Sequence, residues 1–65
     1  MENMTRIKQM RLAYKMTQKQ IAELVGVQTP TVNSLERKGI FDTRTAKKYA
    51  VAFKVNPIFL LDGLD

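Results

Sequence analysis

"MTQKQIAELVGVQTPTVNSLERKG", Met16 to Gly39, holds two short apolar-periodic runs separated by a glycine, and the second run opens with Thr29-Pro30. Thr17 followed by Gln20 is a capping-box pattern: the Thr17 hydroxyl takes the Gln20 N–H while the Gln20 side chain reaches back to Thr17. Ile21, Ala22 and Val25 share one face of the helix so begun, and Gly26 can end it in the left-handed conformation without steric cost. Pro30 fixes its own backbone angle and disfavours a helical Thr29. Thr29 is therefore expected as the N-cap of the next helix and Pro30 as its first residue. That helix should run to about Lys38 and stop at Gly39.

Working outward, Ile7, Met10 and Tyr14 follow helical spacing and predict a first helix over residues 4 to 14. Beyond Gly39, "IFD" makes a short connection in which Asp42 or Thr43 can cap a fourth helix, striped by Ala46, Tyr49, Ala50 and Phe53. Asn56-Pro57 repeats the start signal, predicting a short fifth helix with Gly63 as its stop. "FKVNPIFLL", Phe53 to Leu61, also has the aromatic and branched content of a strand. Counted from Gln18, Ala22 lies four residues on, Gly26 eight, Val32 fourteen and Leu35 seventeen, which is helix-turn-helix spacing. A small Ala22 lets two helices approach, Gly26 permits the turn, and Val27, Val32 and Leu35 hold the third helix. An outward stripe of Pro30, Asn33, Ser34 and Arg37 remains.

The 65 residues suffice for one small domain, 1–65, because a core of this size cannot be divided. Eleven Lys and Arg against six Asp and Glu give a net charge of +5, so a polyanion is the natural partner class. The absence of Cys and His removes disulfides, thiol chemistry and the usual soft metal ligands, and no cofactor is implied. Ile58 to Leu61 is too short an apolar run to span a bilayer, and the amino terminus has no signal-type stretch. A soluble, cytoplasmic protein is expected. Without a Gly-rich phosphate loop or carboxylates clustered at a cleft, nothing indicates an enzyme.

"TQKQIAELVGV", "SLERKG" and "AKKYAVAFKVNPIFLLDG" resemble the Cro and lambda-type phage repressor helix-turn-helix family over nearly the entire chain. Thr17-Gln18, Ala22, Gly26, Glu36 and Leu60-Leu61-Asp62-Gly63 carry the likeness most specifically. The resemblance implies an all-α, five-helix, lambda-repressor-like domain whose third helix enters the major groove of a palindromic operator. It places Thr29, Pro30, Asn33 and Ser34 at base-reading positions. It assigns Thr17, Gln18, Arg37, Lys38 and Arg44 to phosphates, and it pairs Arg11 with Glu36 between the first and third helices.

The chemistry of the side chains weights these assignments unevenly. Asn33 can meet adenine with a donor and an acceptor, and the methyl of Thr29 or Thr31 can meet that of thymine. Pro30 offers DNA only apolar contact or shape, its helix-starting role being the simpler account. Ser34 serves equally as surface or contact. Lys47, Lys48 and Lys54 read as a solvated face, and Leu12 and Leu24 fall off their stripes. Phe41, Ile58 and Leu64 are apolar residues left over, suited to a weak homodimer contact completed on DNA or to closing the core.

The function expected is that of a sequence-specific regulator of double-stranded DNA, a small phage-type or mobile-element repressor. A chain ending at Asp65 should lack the separate carboxy-terminal oligomerisation domain of larger phage repressors. An antitoxin or a restriction-system controller would use the same module. A protein-interaction scaffold working through Phe41, Ile58 and Leu64 is the reading from another class.

Overall fold

In the computed structural model, which describes residues 4–63, the Thr17 hydroxyl accepts from the Gln20 N–H at 3.0 Å. The Gln20 Oε1 accepts from the Thr17 N–H at 2.8 Å, completing the capping box that opens α2 (Gln18–Val25). Gly26 closes α2 at φ 84°, ψ 36°, and the N–H groups of Gly26 and Val27 both donate to the Ala22 carbonyl. A Cβ added at Gly26 would meet nothing within 4 Å, so backbone angle rather than space demands glycine there.

The next helix, α3 (Thr29–Lys38), starts one residue earlier than expected: Gln28 is its extended N-cap, Thr29 is already helical, and no side chain caps it. Pro30 still lies in the first turn, where its missing N–H leaves no carbonyl unpaired. The Gln28 carbonyl accepts from the Thr31 N–H at 3.0 Å, so the first turn is already closed around Thr29 and Pro30 despite the local bias on the residue before proline. Gly39 at φ 90° ends α3, and the Asp42 carboxylate accepts from the Thr45 N–H at 2.8 Å to start α4 (Thr43–Phe53).

At the two ends the architecture departs from five helices. The first helix, α1, is Arg6–Ala13, shorter than 4 to 14, with Ile7 its one buried residue; Met4 and Tyr14 lie outside it and are exposed. Asn56 caps the second end as expected, accepting from the Ile58 N–H at 3.0 Å, but Pro57–Leu60 winds as a four-residue 3-10 turn rather than an α-helix. Leu61 is already extended, so the turn stops before Gly63. The described residues therefore form four α-helices and a 3-10 turn, with no strand at "FKVNPIFLL". The turn is short because Leu60 is fully buried and the chain must then run back to the loop after α3.

That return is made by Asp62. Its Oδ1 accepts from the Arg6 N–H at 3.0 Å at the start of α1, its Oδ2 from the Ile40 N–H at 2.8 Å, and its own N–H donates to the Ile40 carbonyl at 2.8 Å. Around this tie Ile7, Ile21, Val32, Ile40, Ala46, Tyr49, Ala50, Phe53 and Leu60 fill one core with Ala22. Tyr14, half outside it, sets its ring edge-on to Phe53 at 5.3 Å.

Candidate nucleic-acid interface

Burial of Val32 and Glu36 on α3 turns the opposite side of that helix to solvent. Pro30, Asn33, Arg37 and Lys38 are exposed there, whereas Thr29 and Ser34 are half-buried. Gln28 and Thr31 are also exposed at the start of α3, so Thr31 is the more exposed of the two candidate threonines. No acidic residue stands in the first turn of α3, and Arg37 and Lys38 occupy its last. Arg44, just inside α4, is exposed as well. The outward stripe is thus polar at its centre and cationic at its end.

α1 and α2 are both bound to this helix by more than apolar packing. Arg11 Nε lies 2.5 Å from Glu36 Oε2, Arg11 Nη2 donates to Glu36 Oε1 at 3.2 Å, and Arg11 Nη1 donates to the Met16 carbonyl at 2.9 Å. Glu36 is buried and Arg11 partly so, with 14% of the Arg11 side chain and 3% of the Glu36 side chain exposed. Gln18 joins it, its Nε2 donating to Glu36 Oε1 at 3.0 Å. Thr5 secures the same turn of α3, its hydroxyl donating to the Glu36 carbonyl oxygen at 2.8 Å. Both carboxylate oxygens of a buried acid are satisfied, as burial of a charge requires.

Sequence reasoning expected the Arg11 and Glu36 link but missed Gln18 and Thr5 as its partners, and it missed the bonding of Asp62. No periodicity reports them, because their partners lie 18, 31 and up to 56 residues away. Thr17, expected at a phosphate, is exposed but its hydroxyl already caps α2.

Of the three apolar residues left over, two lie on the surface of the described residues. Phe41 is 69% exposed and Ile58 54%, while Leu64 lies outside the described residues. The Phe41 ring covers the glycines on either side of the Asp62 tie. A Cβ at Gly39 would stand 3.0 Å from Asp62 Oδ2 and 3.1 Å from Phe41 Cε2, and one at Gly63 would stand 3.3 Å from Phe41 Cε1. Leu12 and Leu24 are exposed, as their position off the stripes predicts.

Donation from the Thr45 backbone N–H and side chain holds the Asp42 carboxyl below its ordinary range, and Arg44 adds to the effect. Burial pushes the Tyr49 hydroxyl up. Among the described residues no helix is long and apolar enough to cross a membrane. A helix-turn-helix family model matches residues 7–60. No curated protein and no solved structure matches the chain.

Proposed function

Because the chain belongs to the helix-turn-helix family, we propose that it is a sequence-specific, double-stranded DNA-binding transcriptional regulator that lays α3 in the major groove. The observation that carries this reading is the exposed Pro30, Asn33 and Arg37 stripe on a helix whose other side is anchored by Val32 and Glu36. A groove of B-DNA admits one α-helix, and only a helix rigidly held from behind can present side chains to base edges. Asn33 is the principal base reader, with Thr29, Pro30 and Ser34 beside it. Gln18, Arg37, Lys38 and Arg44 contact phosphates, and Thr17 serves the backbone contact by fixing the start of α2.

The finer reading is a small phage-type repressor, in the cytoplasm, that binds a palindrome as a weak dimer. Phe41 and Ile58 support the dimer, being large, apolar and more than half exposed. The net charge of +5 favours a duplex over an apolar protein partner. Selection of bound sequences from a random duplex pool tests the whole reading. A palindromic consensus is expected, bound with steep salt dependence. Enrichment of no sequence, or affinity indifferent to salt, would remove it.

A further inference from the structure

Glu36 is a core residue by burial, yet one of its oxygens faces the first residue of α2. Glu36 Oε1 accepts from Gln18 Nε2 at 3.0 Å and from Arg11 Nη2 at 3.2 Å, while Oε2 is engaged by Arg11 Nε. A carboxylate opposite an arginine can only accept, so it admits the amide nitrogen of Gln18 and turns away the amide oxygen. The carboxylate itself cannot wander: Arg11 holds it from α1, and the backbone at Glu36 is tied to Thr5. Gln18 is half-buried at the helix end, so one of its two Nε2 hydrogens is committed inward and the other remains for a second acceptor.

We propose that Glu36 is a positioning residue for duplex binding, holding the Gln18 amide so that its remaining N–H meets a phosphate oxygen. The Arg11–Glu36 pair then governs backbone contact as well as stability. The inference rests on the DNA-binding reading above and deepens it at one residue. A flexible glutamine would have to be immobilised when the duplex arrives, and orienting it beforehand removes that cost. Phosphate contacts carry no sequence information, so specific and unrelated duplexes should respond alike.

The test is a double-substitution cycle on the full chain, binding both a selected site and an unrelated duplex, with Gln18→Ala, Glu36→Gln and the two combined. Each variant is measured below its melting temperature. Gln18→Ala should weaken both duplexes about 2- to 10-fold. Glu36→Gln, whose amide can donate or accept and so no longer selects one orientation, should weaken them by a similar factor when Gln18 is present and add nothing once Gln18→Ala is in place.

Equal weakening by Glu36→Gln in both backgrounds would overturn the inference, as would full affinity in Gln18→Ala. Either result leaves DNA binding itself intact, whereas failure of the unsubstituted chain to bind any duplex removes both readings. Should Glu36→Gln not fold, side-chain amide resonances of the unsubstituted chain decide the matter. One Gln18 proton should be protected from exchange before DNA is added and the other should shift during titration with duplex. Two rapidly exchanging protons that duplex leaves unmoved would overturn it.

Discussion

Asn33 and Lys38 are both exposed on α3, but their side chains offer a duplex different things. Asn33→Ala deletes a donor and an acceptor and leaves charge and packing unchanged. It should cost about 1 to 3 kcal/mol on the preferred site and relax preference at one base pair per half-site, with little change in salt slope. Lys38→Ala removes a charge, so specific and unrelated duplexes should weaken together and the salt slope should fall by about 1. Affinities for the best site, its single-base variants and an unrelated duplex at several salt concentrations separate the two. Full discrimination by folded Asn33→Ala would show that Asn33 reads nothing.

Arg11 belongs to the same scale with the opposite expectation. Arg11→Ala strips a buried carboxylate of its cation and the Met16 carbonyl of its donor, which should destabilise the fold by about 3 kcal/mol. Urea melts of Arg11→Ala, Glu36→Ala and the double substitution measure the coupling, and strictly additive losses would deny it.

Elements in this chain are bounded by single residues whose reasons differ. Gly26 faces open space but sits at φ 84°, so Gly26→Ala should cost about 1 to 2 kcal/mol through backbone angle alone, with no repacking. Thermal melts and an unchanged amide spectrum elsewhere would bear this out; a broad spectral change would mean that packing, not angle, demands glycine.

Asp42 bounds α4 by charge. The folded protein holds its carboxylate more firmly than the unfolded chain, since the Thr45 N–H donates to it. Its contribution is therefore complete above the ordinary value of 3.8 and is lost as pH falls through the lowered folded value. Asp42→Asn keeps a capping oxygen but cannot titrate, so the acid limb of stability against pH should flatten. An identical acid limb in both proteins would exclude this role. Tyr49 acts in the reverse sense at the other extreme: burial raises its pKa, so stability is unaffected below 10.0 and declines as pH rises above it.

For the whole molecule, the notable connection is Asp62, which binds the start of α1 and the loop after α3 with one side chain. The face that it organises carries Phe41, whose ring lies over Gly39 and Gly63 with most of its surface in water. A lone recognition helix reads few base pairs, and a two-fold pair reads both halves of a palindrome at a spacing of roughly 34 Å. Sedimentation at rising concentration should therefore show a weak dimer that tightens when operator is present, and Phe41→Ser should abolish the tightening while leaving the monomer folded. A single copy bound to one half-site with undiminished affinity would end the dimer proposal.

Local chemistry in the sequence determined the helix order, the Thr17 capping box, the turn at Gly26, the cap at Asn56 and the burial of Val32 on α3, and it narrowed the cap of α4 to Asp42 or Thr43. These follow from residue types within a few positions of one another, where spacing is itself geometry. The same signals misjudged the ends. Thr29 was expected to cap α3, yet the Gln28 carbonyl takes the first bond, from the Thr31 N–H, and the segment after Asn56 becomes a single 3-10 turn that ends with Leu60 buried. The site divides in the same way. The outward position of Asn33 was legible from spacing, and the Arg11–Glu36 pair from the family resemblance alone. The engagement of Gln18 with Glu36 and the double bonding of Asp62 were not, since a side chain's partner across 18 or 56 residues exists only once the helices have packed. Tertiary structure alone decided that a half-buried glutamine joins the buried acid and its arginine in one hydrogen-bonded group, because a carboxylate removed from water must find its donors wherever the fold brings them.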